Sequence, residues 1–185
     1  MTWAARASQV LAHGRGGRAT GTGRAAARAA GTLALLALLW WLWPERTVYV
    51  ANETRGQTIA RLPVLDEAPL QLRYVHSVYR QPAAEEFRVR PDGLELVRLA
   101  SPSVAVLEYY ARAEPIAPAG EGYEIRIAGR QLYGRLSVLA GETGRRTVAY
   151  AGRELPLQCL AADGDRISLS VIRAPRLARL WPTAR

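Results

Sequence analysis

The feature that most constrains this chain is an uncharged apolar run, Ala29 to Pro44 (AAGTLALLALLWWLWP), with three tryptophans at its far end. As a helix it rises about 24 Å, somewhat short of the roughly 30 Å hydrocarbon core of a bilayer. Arg28 can snorkel and Ala25 to Ala27 can prolong the helix inward, which makes up the deficit. Leu33, Leu36 and Leu39 then occupy the apolar interior. Trp40, Trp41 and Trp43 reach the outer headgroup level, where aromatic belts sit, and Pro44 ends the helix. The run therefore reads as a single-pass anchor, residues 29–44, whose partner is the lipid bilayer. A cleaved signal peptide is the competing reading. Cleavage needs small residues at positions −3 and −1, and the first alanine downstream, Ala51, has Tyr49 at −3. An uncleaved anchor fits better.

Charge fixes the orientation. Arg6, Arg15, Arg18, Arg24 and Arg28 precede the anchor with no acidic residue among them. The positive-inside rule places this N-terminus in the cytoplasm and the rest of the chain in the periplasm or outside, held at the inner membrane. Residues 1–28 are alanine, glycine and arginine without periodicity, the composition of a disordered basic tail. The formal charge of +9 does not point to nucleic acid. Beyond the anchor, 20 arginines face 16 carboxylates with their signs interspersed, and a phosphate-binding stripe needs clustered charge.

From Thr47 onward the hydrophobic period changes to two. TVYVAN and QTIARL flank Gly56 as a hairpin. Leu70 to Val78 is the clearest strand, with Leu70, Leu72, Tyr74, His76 and Val78 on one face. EFRVR and LELVRLAS pair across the turn Pro91-Asp92-Gly93. Residues 101–112 mix a helix-opening Ser101-Pro102 with valines and tyrosines that prefer strands, and read as strand or irregular. YEIRIA points Tyr123, Ile125 and Ile127 inward. LSVLA, RTVAYA, ELPLQC and RISLSVI complete some eight to eleven short strands. The expected fold is mainly β: a β-sandwich or β-roll over residues 45–173, preceded by one transmembrane helix and followed by a basic tail, 174–185, that contains Trp181.

Chemistry has few places to reside. Cys159 is the lone cysteine, which excludes an internal disulfide, and its apolar surroundings read as core. One folded-region histidine and one cysteine on separate strands match no metal spacing, so no metal and no cofactor is expected. No glycine-rich phosphate loop and no GxSxG occurs. His76 is the one candidate base or ligand contact of the folded part, since His13 lies in the tail. Its place on the apolar strand face reads first as a core histidine bonded to a backbone carbonyl or a carboxylate. Ser77 neighbours it but points to the opposite face of a strand, so the two form no dyad. Glu85 and Glu86 follow, one directed inward and one outward. The inward carboxylate either bonds His76 or Arg73, or the two glutamates form a solvated edge pair.

The run LRYVHSVYRQPAAEEF with the later GLELVR resembles the core motif of the domain of unknown function 1850 family, through Tyr74, His76, Ser77, Val78, Pro82 and Glu85 or Glu86. Members are small extracytoplasmic proteins, often encoded beside TRAP-type tripartite transporters with TAXI-type solute-binding components. Where family members carry a glycine-rich stretch after the second hairpin strand, this chain has SPSVAVLEYYARAEP. The chain reads as a non-enzymatic accessory or binding module, and the resemblance implies association with a tripartite uptake transporter. Its expected partners are a transporter membrane subunit or a solute-binding protein, and its binding residues would be Tyr74, His76, Ser77 and Glu86. Two alternatives stay open: an envelope or lipid-handling β-roll with an apolar groove between its sheets, and a hydrolase with a nucleophile near His76.

Overall fold

The computed structural model describes residues 21–65 and 68–180. The chain divides into two units at Trp40–Trp41, an N-terminal helical one and a strand-rich domain.

Helix α1 (Gly21–Leu42) begins inside the segment expected to be disordered, because the alanines around Arg24 and Arg28 are strong helix formers. The remainder of that segment, residues 1–20, lies outside the described residues. Pro44 biases the residue before it toward extended backbone, so the helix stops at Leu42 and Pro44 opens the first strand. No helix among the described residues is long and apolar enough to cross a membrane. This departs from the transmembrane helix expected over residues 29–44: the helical part of that run, Ala29 to Leu42, rises only about 21 Å. Its apolar side chains are exposed on all sides, Leu33, Leu36, Leu39, Trp40 and Trp43 each by half or more.

The domain is mainly β, built of two antiparallel sheets. One has the order β2-β1-β11-β8, formed by β1 (Pro44–Asn52), β2 (Gln57–Pro63), β8 (Arg135–Leu139) and β11 (Arg166–Pro175). The other has the order β10-β9-β3-β4-β5-β7-β6, formed by β3 (Leu70–Val75), β4 (Pro82–Arg90), β5 (Gly93–Ser101), β6 (Ile116–Ala119), β7 (Gly122–Tyr133), β9 (Thr147–Tyr150) and β10 (Arg153–Pro156). Alternation puts one face of each strand into a shared core. Val48, Val50, Leu62, Ile167 and Leu169 of the smaller sheet meet Leu70, Phe87, Leu94, Leu99 and Ile125 of the larger. Gly93 makes the β4–β5 turn possible. Its φ is +150°, and a Cβ there would lie 2.3 Å from the Tyr133 carbonyl oxygen.

Several expectations are corrected. Residues 104–108 form a short helix, α2 (Val104–Glu108), rather than a strand, and bury Val106 and Leu107. A second, α3 (Leu157–Leu160), follows β10 and buries Leu157 while leaving Cys159 exposed. Cys159 is therefore not a core residue: a four-residue helix has one buried position, and the leucine fills it. Of the YEIRIA trio only Ile125 is fully buried; Tyr123 lies at the surface. The last strand runs past 173 to Pro175, and the tail continues as a 3-10 turn, Arg176–Leu180. Trp181 lies outside the described residues.

A polar cluster ties β1 to β11 at the end of the pair where Asn52 faces Ile167. Asn52 Nδ2 donates to Asp165 Oδ2 at 2.7 Å and Arg55 Nε donates to the same oxygen at 2.8 Å. The Asn52 amide and the Arg55 guanidinium hold the Asp165 carboxyl below the usual carboxylate range.

Candidate functional site: a cavity beyond the edge of the smaller sheet

The four-stranded sheet ends at β8, and β8 faces residues of β3 and β4 of the larger sheet across an open space. That space is a cavity of about 640 Å³. Its floor comes from β3 and β4. Antiparallel register places Leu70 opposite Phe87, Leu72 opposite Glu85 and Tyr74 opposite Ala83. Directly paired residues share a face, so Glu85 sits on the same inner surface as the buried Phe87. Glu86 is turned outward. It takes Arg98 at 2.7 Å and Gln71 at 3.3 Å on the outer face, well away from the cavity.

Three oxygens meet on the cavity floor. Tyr74 Oη donates to Glu85 Oε1 at 3.0 Å and Tyr110 Oη donates to the same oxygen at 3.2 Å. The two tyrosine hydroxyls also contact each other. Tyr110 arrives from the turn that follows α2. Burial pushes the Glu85 carboxyl above its ordinary range, against the pull of the two hydroxyls and of Arg146. Burial first, and the Glu85 charge second, push both phenols up as well. Arg146 lies over the Tyr74 ring, 5.8 Å from its centroid, and donates to the Leu139 carbonyl at 2.9 Å. It thus bridges the two sheets at the cavity wall.

His76 closes one end. Strand β3 stops at Val75, not Val78, because the chain turns immediately after His76. Arg80 N–H donates to the His76 carbonyl at 2.8 Å, with Arg80 at φ +54°. The buried imidazole serves that turn. Its Nδ1 accepts from the Val78 and Tyr79 amides at 3.3 and 3.4 Å, which places the ring proton on Nε2. Tyr109 packs edge-on against the ring at 4.7 Å and Tyr79 lies at 5.3 Å. Val78 is 63 % exposed and belongs to no inward face.

Of the four residues expected to bind, Tyr74 and His76 line the cavity, Ser77 lies exposed at its rim, and Glu86 does not belong to it. Glu85 bonds the tyrosines, not His76 or Arg73. Arg73 instead pairs with Glu154 at 2.7 Å. Tyr109, Tyr110 and Arg146 were not anticipated. The parity of Glu85 was available in the sequence, since Phe87 two residues on must face the core. Tyr110 depends on a helix that valines and tyrosines do not announce.

Residues 70–157 match the model of the family described as Domain of unknown function (DUF1850). That stretch belongs to the family. Every residue lining the cavity, from Leu72 to Arg146, falls inside the span matched to DUF1850. Of the smaller sheet, only β8 does; β1, β2 and β11 lie outside it. The DUF1850 span therefore contains the cavity complete with its β8 wall. No curated protein and no solved structure matches the chain.

Proposed function

We propose that this DUF1850 protein is a membrane-attached, extracytoplasmic accessory module of a solute-uptake system, and that it engages its ligand or partner in the cavity above Tyr74, Glu85 and Tyr110. One observation carries the binding role: a half-buried carboxylate with two phenol hydroxyls gathered on one oxygen, facing an open cavity. Partly buried polar groups converging on a concave surface are the usual form of a binding site. The histidine supports binding rather than catalysis. Its Nδ1 is taken by backbone amides, and among the described residues no serine, threonine or carboxylate hydrogen-bonds its ring. The lipid-handling alternative is less favoured, because Phe87, Leu94, Leu99 and Leu169 fill the space between the sheets where a groove would be needed.

Attachment to a membrane is supported by the exposed leucines and tryptophans of α1, with Arg28 at the start of its apolar part and a basic N-terminal sequence. The link to a tripartite transporter of the TRAP type with a TAXI-type component rests on the family resemblance. Uptake by a TRAP-type transporter of the same cells tests the whole reading. Deleting the gene lowers uptake and the wild-type chain restores it, whereas Glu85→Gln, with unchanged abundance and melting temperature, does not. Uptake that is indifferent to the deletion, or fully restored by Glu85→Gln, overturns the proposal.

A further inference from the structure

Four strands form the sheet edges: β2, β8, β10 and β6. An open edge invites another strand, and proteins guard against that with prolines, short strands or charges. β2 ends in Pro63, β10 ends in Pro156, and the four-residue β6 contains Pro118. β8, RLSVL, has no proline, and it is the edge that walls the cavity.

Hydrogen-bond parity shows where its backbone points. Ala140 N–H donates to the Asp165 carbonyl at 2.8 Å. Val138 and Leu136 share that parity and turn toward their β11 partners Ile167 and Leu169. On the other side of β11, Glu53 N–H donates to the Arg166 carbonyl at 2.8 Å, as the same alternation requires. Arg135, Ser137 and Leu139 therefore direct their amides to the free edge. The Leu139 carbonyl confirms the direction, since it accepts from Arg146 within the cavity wall. Ser137 thus presents both N–H and C=O to the cavity, and Leu139 its N–H.

We propose that the cavity receives an extended segment of a partner polypeptide, which adds to β8 as a fifth strand of the smaller sheet. This rests on the reading of the cavity as the binding site and names the class of occupant. An alternating row of backbone donors and acceptors is matched by another strand, and a compact solute satisfies only one pair of them. The segment exchanges two hydrogen bonds with Ser137 and accepts a third from Leu139; Arg146, already on the Leu139 carbonyl, marks the end of the register. Its inward side chains lie over Tyr74, Glu85 and Tyr110, where a hydrogen-bond donor meets the carboxylate. Its flanks meet a rim of Tyr109 and Leu139, which are 62 % and 51 % exposed.

The test uses full-length protein in detergent and a displayed random library of peptides roughly twelve residues long. Selected peptides are synthesised and titrated by fluorescence anisotropy. Ser137→Pro removes the edge donor and lowers affinity about tenfold or more, whereas Ser137→Ala keeps the backbone and changes it less than about twofold. N-methylation along the peptide lowers affinity at every second position, a readout that stands if Ser137→Pro fails to fold. Failure to enrich any peptide, or N-methylation effects without a two-residue period, overturns strand addition. Peptides sensitive to Tyr110→Phe and Glu85→Gln but not to Ser137→Pro keep the cavity as a binding site and reject β8 pairing. Peptides indifferent to all three reject both readings. A dimer that Ser137→Pro dissolves rejects the foreign strand in favour of a second copy.

Discussion

Replacing His76 separates two contributions that the structure places on one ring. The imidazole accepts from two amides at 3.3 and 3.4 Å and packs against Tyr79 and Tyr109. Both amides belong to exposed residues, so water replaces the lost acceptor, and the two long bonds together contribute no more than about 1 kcal/mol. The ring contacts are worth roughly 0.5–1.5 kcal/mol each. His76→Ala therefore destabilises the domain by about 2 kcal/mol, a fall in melting temperature of roughly 4–8 °C for a chain of this size. His76→Phe keeps the packing and loses the acceptor. His76→Asn keeps an acceptor for the turn, as asparagine does in Asx turns, and loses the packing. The expected order of melting temperature by circular dichroism is wild type, Phe, Asn, Ala. An Asn variant as stable as the Phe variant, or more so, refutes the reasoning, because the turn bonds would then outweigh the ring contacts.

Other perturbations read other parts of the molecule. Glu85 has a raised carboxyl pKa, so its contribution to stability is present below the unfolded carboxylate value and is lost as pH rises through the folded one. Melting profiles of wild type and Glu85→Gln therefore diverge with rising pH, wild type losing more. Asp165 has the opposite sign: its stabilisation is present above the unfolded value and lost as pH falls through the lowered one, so Asp165→Asn flattens the acid limb of the curve. Gly93→Ala meets the Tyr133 carbonyl at positive φ and lowers stability by more than about 2 kcal/mol in urea titrations. On the proposed membrane attachment, Leu35→Arg with Leu38→Arg charges the middle of the exposed apolar helix and moves the protein from the membrane pellet to the soluble fraction. A wild-type protein already in the soluble fraction overturns that attachment.

How much of this was legible in the sequence varies with the physics that decides each element. Strands set by strict alternation and bounded by strong turns were readable: the β1–β2 hairpin around Gly56, β3 from Leu70, and the β4–β5 hairpin at Asp92-Gly93. Where local preference and tertiary packing disagree, the sequence misleads. Val104–Glu108 is helical because Val106 and Leu107 reach the core together from one turn, a reward that strand propensities do not register. His76 looked like the inward end of a strand, but the backbone had already turned, and the ring caps that turn. The site divides the same way. Tyr74 follows from β3 alternation and Glu85 from its spacing to Phe87. Tyr109, Tyr110 and Arg146 come from segments far along the chain, and only the folded topology brings them to the cavity.

The first strand of the domain lies against its last over their full lengths, from Pro44 opposite Pro175 to Asn52 opposite Ile167. A chain emerging from its amino end must hold β1 and β2 in waiting until residues near 166–175 appear, with the Asn52–Asp165 latch closing at the same moment. Completion of the smaller sheet is thus a late, long-range event, and such loop closures slow folding. Premature stops or proteolysis within β11 strip the centre out of that sheet rather than trimming a margin.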